Sequence, residues 1–160
     1  MDKKAPAIPP GRHTVTPSLY VATAAKAIEF YKQALGAEEL MRFLAPDGSI
    51  MYAEIKIGDS VIMLGDEMPD HGGRGPASLG GTPVSFVVYD QDVDAAWKRA
   101  LDAGGSVLVP LEGQFWGDRA GCIADPFGHQ WWLAQHIQDL TPEEIRRNAE
   151  TFFSQMETVS

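Results

Sequence analysis

Gly117 to His136 reads GDRAGCIADPFGHQWWLAQH, and its centre, Asp125-Pro126-Phe127-Gly128, carries turn chemistry. Proline pre-sets φ at the second position of a turn, and glycine closes the turn without a Cβ clash. The runs on either side are strand-like, so the stretch predicts a β-hairpin whose second strand, Gln130 to Gln135, holds two adjacent tryptophans. Neighbours in a strand point to opposite faces. One of Trp131 and Trp132 therefore packs beneath the sheet and the other faces away.

Working outward, Val84 to Tyr89 reads as a strand, Asp92 to Ala103 as a helix stopped by Gly104-Gly105, and Val107 to Leu111 as a strand. With the hairpin, this is β-α-β-β-β. The first half has the same order. Thr14 to Val21 alternates like a half-buried strand, and Thr23 caps a helix with Ala27, Ile28, Tyr31, Ala34 and Leu35 at helical spacing, ended by Gly36. Strands follow over Glu39 to Leu44, Ile50 to Ile57 and Ser60 to Leu64, separated by Pro46-Asp47-Gly48 and Gly58-Asp59 turns. The letters repeat as well as the pattern: Tyr31-Lys32-Gln33-Ala34-Leu35 falls on Trp97-Lys98-Arg99-Ala100-Leu101. The chain thus divides into one module over 13–64, a Gly- and Pro-rich linker or lid over 65–82, and a second module over 83–136. The fold class is α+β: two modules forming a cup-shaped mixed sheet with helices on its convex face. A C-terminal helix over 141–156 is announced by the capping box Thr141, Pro142 and Glu144, and its apolar stripe can cover its own domain or contact a second subunit.

The 160 residues carry 13 Lys and Arg against 22 Asp and Glu, a net charge of −9, which opposes nucleic-acid phosphates and anionic membranes. Cys122 is the single cysteine, so no intrachain disulfide is expected. The Pro-rich arm over 1–12 shows no apolar signal segment, and no membrane-spanning run follows. A cytoplasmic location is the expectation.

The paired modules, AIEFYKQALGAEEL in the first helix, DVDAAWKRALDAGG in the second and DPFGHQWWL at the end resemble the vicinal-oxygen-chelate superfamily, the fold of glyoxalase I, bleomycin-resistance proteins and extradiol dioxygenases, with the PhnB-like group as the nearest flavour. The resemblance spans roughly 13–136. It implies four metal-ligand positions, which transfer by local motif onto Thr16, Met63, Ser85 and Trp132. A divalent ion wants imidazole or carboxylate donors, and none of the four supplies one. No metal and no cofactor are expected.

The same transfer points Ser18, Tyr20, Val61, Val87 and Gln130 into the cup. Tyr52, Glu54 and Lys56 join them if Met51, Ala53, Ile55 and Ile57 face the helices. The lining is aromatic and apolar with a few polar groups, which suits an organic ligand. Tyr20, Tyr52, Met63, Ser85, Trp116 and Trp132 are candidate contacts, with Arg119 as a fork for an anionic group or one half of an Asp-Arg pair that pins its loop. Glu54, alone among apolar strand residues, is the candidate for catalysis, or one half of an ion pair with Lys56. His129 and His136 read as backbone-bonded or solvent-facing, and Tyr31 and Trp97 as core anchors. The expected function is a metal-free binder that sequesters or carries a small organic molecule, working as a homodimer. Two alternatives stand beside it: an isomerase, lyase or dioxygenase with a displaced metal site built from His13, Glu54 and His71, and a dimeric module acting through its C-terminal helix.

Overall fold

The computed structural model describes residues 5–157, so the first four residues of the N-terminal arm lie outside it. The first module runs β1 (Ser18–Val21), α1 (Ala24–Leu35), β2 (Glu38–Leu44), β3 (Ile50–Ile57) and β4 (Ser60–Asp66). A 3-10 turn (Pro69–His71) and the short helix α2 (Pro76–Leu79) connect it to β5 (Ser85–Tyr89), α3 (Val93–Asp102), β6 (Ser106–Gly113), β7 (Asp118–Ala124) and β8 (Gln130–His136). Helix α4 (Pro142–Glu157) ends the described chain. Each module folds its strands into a mixed sheet, in the orders β1-β4-β3-β2 and β5-β8-β7-β6, with one parallel pair apiece. The α+β architecture of two repeated modules and a final helix is the one expected.

Helix α1 forms because its apolar residues recur on one face: Ala27, Ile28, Tyr31 and Ala34 are all fully buried. Its expected cap is not its cap. Thr23 makes no side-chain bond to the helix, and Ala24 N–H instead donates to Asp66 Oδ1 at 2.7 Å. The carboxylate at the end of β4 both accepts a free helix donor and sets negative charge at the positive end of the helix dipole. In α3 the cap is a side chain at the helix start, Asp92, which accepts from Ala95 N–H at 3.0 Å.

One strand boundary, one side-chain facing and the order of the linker differ from the sequence reading. The first strand begins at Ser18 rather than Thr14, because Pro17 has no N–H to give the ladder. Its carbonyl still accepts from Met63 N–H, while Thr16 turns its hydroxyl onto the His13 carbonyl. Met51, expected on the helix face, is exposed, because the β2-β3 register slips between Phe43 and Leu44 and the irregularity carries Ile50 inward in its place. The aperiodic linker is partly ordered: Glu67 accepts from Gly75 N–H and Ser78 Oγ, which fixes the start of α2.

The modules share one core. Tyr31 from α1 lies against Trp131 from β8 with ring centroids 5.2 Å apart, and both side chains are fully buried. Their polar atoms meet at Asp125: Tyr31 Oη donates at 2.6 Å and Trp131 Nε1 at 2.9 Å to the same carboxylate oxygen. The other oxygen accepts from the Phe127 and His129 N–H groups at 2.9 Å each, closing the hairpin turn. Burial, reinforced by the charge of Asp125, pushes the Tyr31 phenol far above its ordinary value and keeps it a donor. Gly128 closes the turn at φ +94°, a conformation that favours glycine. His129 bridges the modules at another point, with Nε2 3.1 Å from the Tyr20 carbonyl.

At α4 the capping box forms as expected, with Thr141 N–H donating to Glu144 Oε2 at 2.8 Å and Glu144 N–H to Thr141 Oγ1 at 3.3 Å. The helix leans on the β6-β7 loop. Phe152 and Phe153 both contact the Phe115 ring, and Asn148 Nδ2 donates to the Phe115 carbonyl.

Candidate functional site

Alternation along three strands of the second sheet sets one side-chain row opposite the helices. Val87 pairs with Trp132 and Tyr89 with Ala134 across β5-β8, and Ala134 pairs with Ala120 across β8-β7. Trp131 and Leu133, on the other face of β8, are buried beneath α3. The two tryptophans are thus divided between core and open face. Ala120 and Ala134 are small, so the row dips between taller neighbours and leaves a recess of about 240 Å³ walled by Trp116, Trp132, Tyr89 and Val87, with Ser85 beside them.

Asp118 also lines this recess, and only 4 % of its surface is exposed. Its Oδ2 accepts from Trp116 Nε1 at 3.0 Å and from Tyr89 Oη at 3.1 Å, and its Oδ1 is 2.8 Å from His136 Nδ1. One carboxylate therefore orients two aromatic walls. The tight turn before β7, with Gln114 N–H donating to the Asp118 carbonyl at 2.7 Å, brings Trp116 back over its neighbour. His136 Nε2 is 2.8 Å from Asp139, so carboxylates face both ring nitrogens. Asp139 and then Asp118 raise the imidazole above its ordinary value and favour the charged form. Tyr89 is pushed up by burial and by its bond to Asp118, so it stays a donor.

The candidates in the first module stand elsewhere. Glu54 is buried, with Arg12 from the N-terminal arm on Oε2 and Tyr52 Oη on Oε1. Lys56, the partner suggested by same-face spacing, is exposed, and Glu54 pairs with Arg12. The ion pair comes instead from a residue 42 positions away, which local pattern does not reveal. Met63 lies directly across from Glu54, and the Tyr20 ring is covered by Gly73. Between the two sheets runs a groove of about 430 Å³, reached by Val61 from one side and by Val87 and Tyr89 from the other. The last two also wall the recess. Arg119 sits on the opposite side of β7, with a two-pronged ion pair to Asp94 of α3 at 3.0 and 2.7 Å.

A sequence model of the Glyoxalase/Bleomycin resistance protein/Dioxygenase superfamily matches residues 12–133, almost the whole of both modules. The chain belongs to this superfamily. An uncharacterized protein of Mycobacterium tuberculosis is 46% identical over 135 residues, which covers 82% of this chain and 79% of its own. The X-ray structure of the product of At5g48480 from Arabidopsis thaliana superposes with a TM-score of 0.62 at 28% identity, over 76% of this chain and 98% of that one. A PhnB protein of Bacillus cereus, 17% identical with a TM-score of 0.60 over 77% of this chain and all but 1% of that one, shares the fold.

Membership in the superfamily raises the question of a metal, and the donor set does not fit one. Thr16 lies before β1 and is bonded to His13 O, Met63 offers a thioether, Ser85 a hydroxyl and Trp132 an indole. Such groups are poor ligands for the divalent ions that imidazole and carboxylate sites hold. The alternative set is not gathered either: Glu54 is taken by Arg12 and Tyr52, His71 is exposed on its 3-10 turn and His13 borders the groove. Among the described residues no three His, Cys, Asp or Glu side chains cluster as a metal site. No helix of the described chain is long and apolar enough to cross a membrane.

Sequence reasoning named Asp118 only as a loop-pinning partner for Arg119, which pairs with Asp94 instead, and did not single out Tyr89. Tyr89 could have been found by continuing the alternation two residues past Val87. The role of Asp118 depends on the tight turn that folds Trp116 over it, and turn geometry of that kind leaves no periodic signal.

Proposed function

We propose that this superfamily member is a metal-independent binder of a small organic molecule, a carrier or sequestering protein of the bleomycin-resistance kind rather than an enzyme. The observation that carries the reading is the aromatic recess of the second module, with Trp116 and Tyr89 held in place by Asp118 and Trp132 rising from the sheet. Preorganised aromatic walls bind flat or apolar groups with little loss of side-chain entropy. Ser85 supplies a hydroxyl at the rim. Tyr20, Tyr52 and Met63, on the first module, would take part in a homodimer that sets this module of a second copy over the recess; exposed Met41, Phe43 and Leu44 on β2 offer apolar surface for such an assembly. Glu54 is a poor general base here, because both its oxygens already accept hydrogen bonds. We place the protein in the cytoplasm, with no nucleic-acid or membrane partner.

The neutral dye N-phenyl-1-naphthylamine tests this reading. Its fluorescence should rise on binding to the wild type, with or without chelator, and Trp132→Ala should weaken binding about tenfold, or about 1.4 kcal/mol. Equal affinity in the variant, or binding that chelator abolishes, would overturn the proposal.

A further inference from the structure

The charge around the recess narrows the class of ligand. Among its lining residues Asp118 is the sole charged side chain, and no Lys, Arg or His shares the wall. Arg119, next in sequence, is turned to the far side of β7 and neutralised by Asp94. His136 lies beside Asp118 but is shared with Asp139, so when the imidazole is protonated the three groups together still carry one negative charge. An anionic ligand would meet a net negative charge from this set.

The aromatic walls add to the same preference. Trp116 Nε1–H and Tyr89 Oη–H both donate to the same carboxylate oxygen. Donation toward an anion draws the positive rim of each ring to the carboxylate and leaves the ring face richer in electron density. The face of an aromatic ring attracts cations through its quadrupole, most strongly for tryptophan. A carboxylate with 4 % of its surface exposed acts through a medium of low dielectric, where its field is weakly screened. The net charge of −9 draws the same ligands toward the molecule.

We propose that the recess selects organic cations, an alkylammonium or protonated amine carried on an apolar body, seated against Trp116, Trp132 and Tyr89 with Asp118 as the counter-charge. The proposal rests on the binder reading above and specifies its ligand class. Asp118 accordingly does two things: it fixes the walls and it sets the sign of what they accept.

The test uses the full chain and three probes of one shape: phenyltrimethylammonium, its neutral isostere tert-butylbenzene, and the anion benzenesulfonate, each titrated by tryptophan fluorescence and calorimetry. The cation should bind about tenfold more tightly than the isostere, and the anion more weakly than either. In Asp118→Asn, which keeps an oxygen to accept from Trp116 and Tyr89, the preference for the cation should fall below about threefold while the isostere still binds. Trp132→Leu, which keeps apolar bulk but removes a ring face, should lower the preference in the same direction and decides the matter if Asp118→Asn does not fold. Binding of the isostere at least as tight as the cation, or a preference unchanged in both variants, overturns this inference and leaves the binder reading standing. Failure of all three probes to bind overturns both.

Discussion

Asp125→Ala is expected to remove about 3 to 6 kcal/mol of folding stability, a large share of what holds a domain of this size together. The carboxylate takes four hydrogen bonds, two from turn N–H groups and two from Tyr31 Oη and Trp131 Nε1. The latter two side chains are fully buried, so no water replaces the lost acceptor and each stranded donor costs about 1 to 3 kcal/mol. Asp47→Ala provides the comparison. Asp47 also organises a turn, accepting from Ser49 N–H at 3.0 Å and Ser49 Oγ at 2.6 Å, but it is exposed and water can take over. Its loss should cost about 1 kcal/mol or less. Urea unfolding of the two variants separates the interior bonds from turn closure, and equal losses would mean that Asp125 does not tie the modules together.

Gly117→Ala should cost about 2 to 4 kcal/mol and reduce dye binding as well. Gly117 has φ +100°, and a Cβ there would collide with the Gln138 carbonyl oxygen, a backbone atom that cannot swing aside. Its own carbonyl accepts from the N–H groups of Ile137 and Gln138 at 3.0 Å each, so movement on either side disturbs the other. Because Gly117 stands between Trp116 and Asp118, the displacement passes directly to one wall and the anchor of the recess. Gly48→Ala isolates the dihedral part: Gly48 has φ +86° but open space around its Cβ position, and about 1 kcal/mol is expected with dye affinity unchanged. Matching losses at both positions, with dye binding intact, would show that the β6-β7 turn does not shape the recess.

What could be read in the letters was periodic or local. The repeated helix motifs, the alternation in β3 to β5 and the Asp125-Pro126-Phe127-Gly128 turn led to two β-α-β-β-β modules, and the adjacent tryptophans divided between core and face as strand geometry requires. Departures came where a distant residue competes with a local one. Asp66 displaces Thr23 from the start of α1, Arg12 replaces Lys56 as the partner of Glu54, and Asp94 takes Arg119. No spacing rule contains such pairings, since each is set by how elements pack. Of the residues that line the recess, Trp116, Trp132 and Ser85 were legible from alternation and motif. Asp118 was hidden because its role arises from three partners on three different segments, the β6-β7 turn, β5 and β8.

The most direct test of the central proposal, that this chain recognises its ligand through aromatic walls and a carboxylate rather than through an ion, is the thermal midpoint of chelator-stripped protein before and after stoichiometric Ni²⁺ or Zn²⁺. The account predicts a change of about 1 °C or less, and no retained metal by elemental analysis. A specific site at a hundredfold excess over its dissociation constant would stabilise by about 2.7 kcal/mol, or roughly 5 to 11 °C for a chain of this size. A rise of that order, reversed by chelator, would contradict the account.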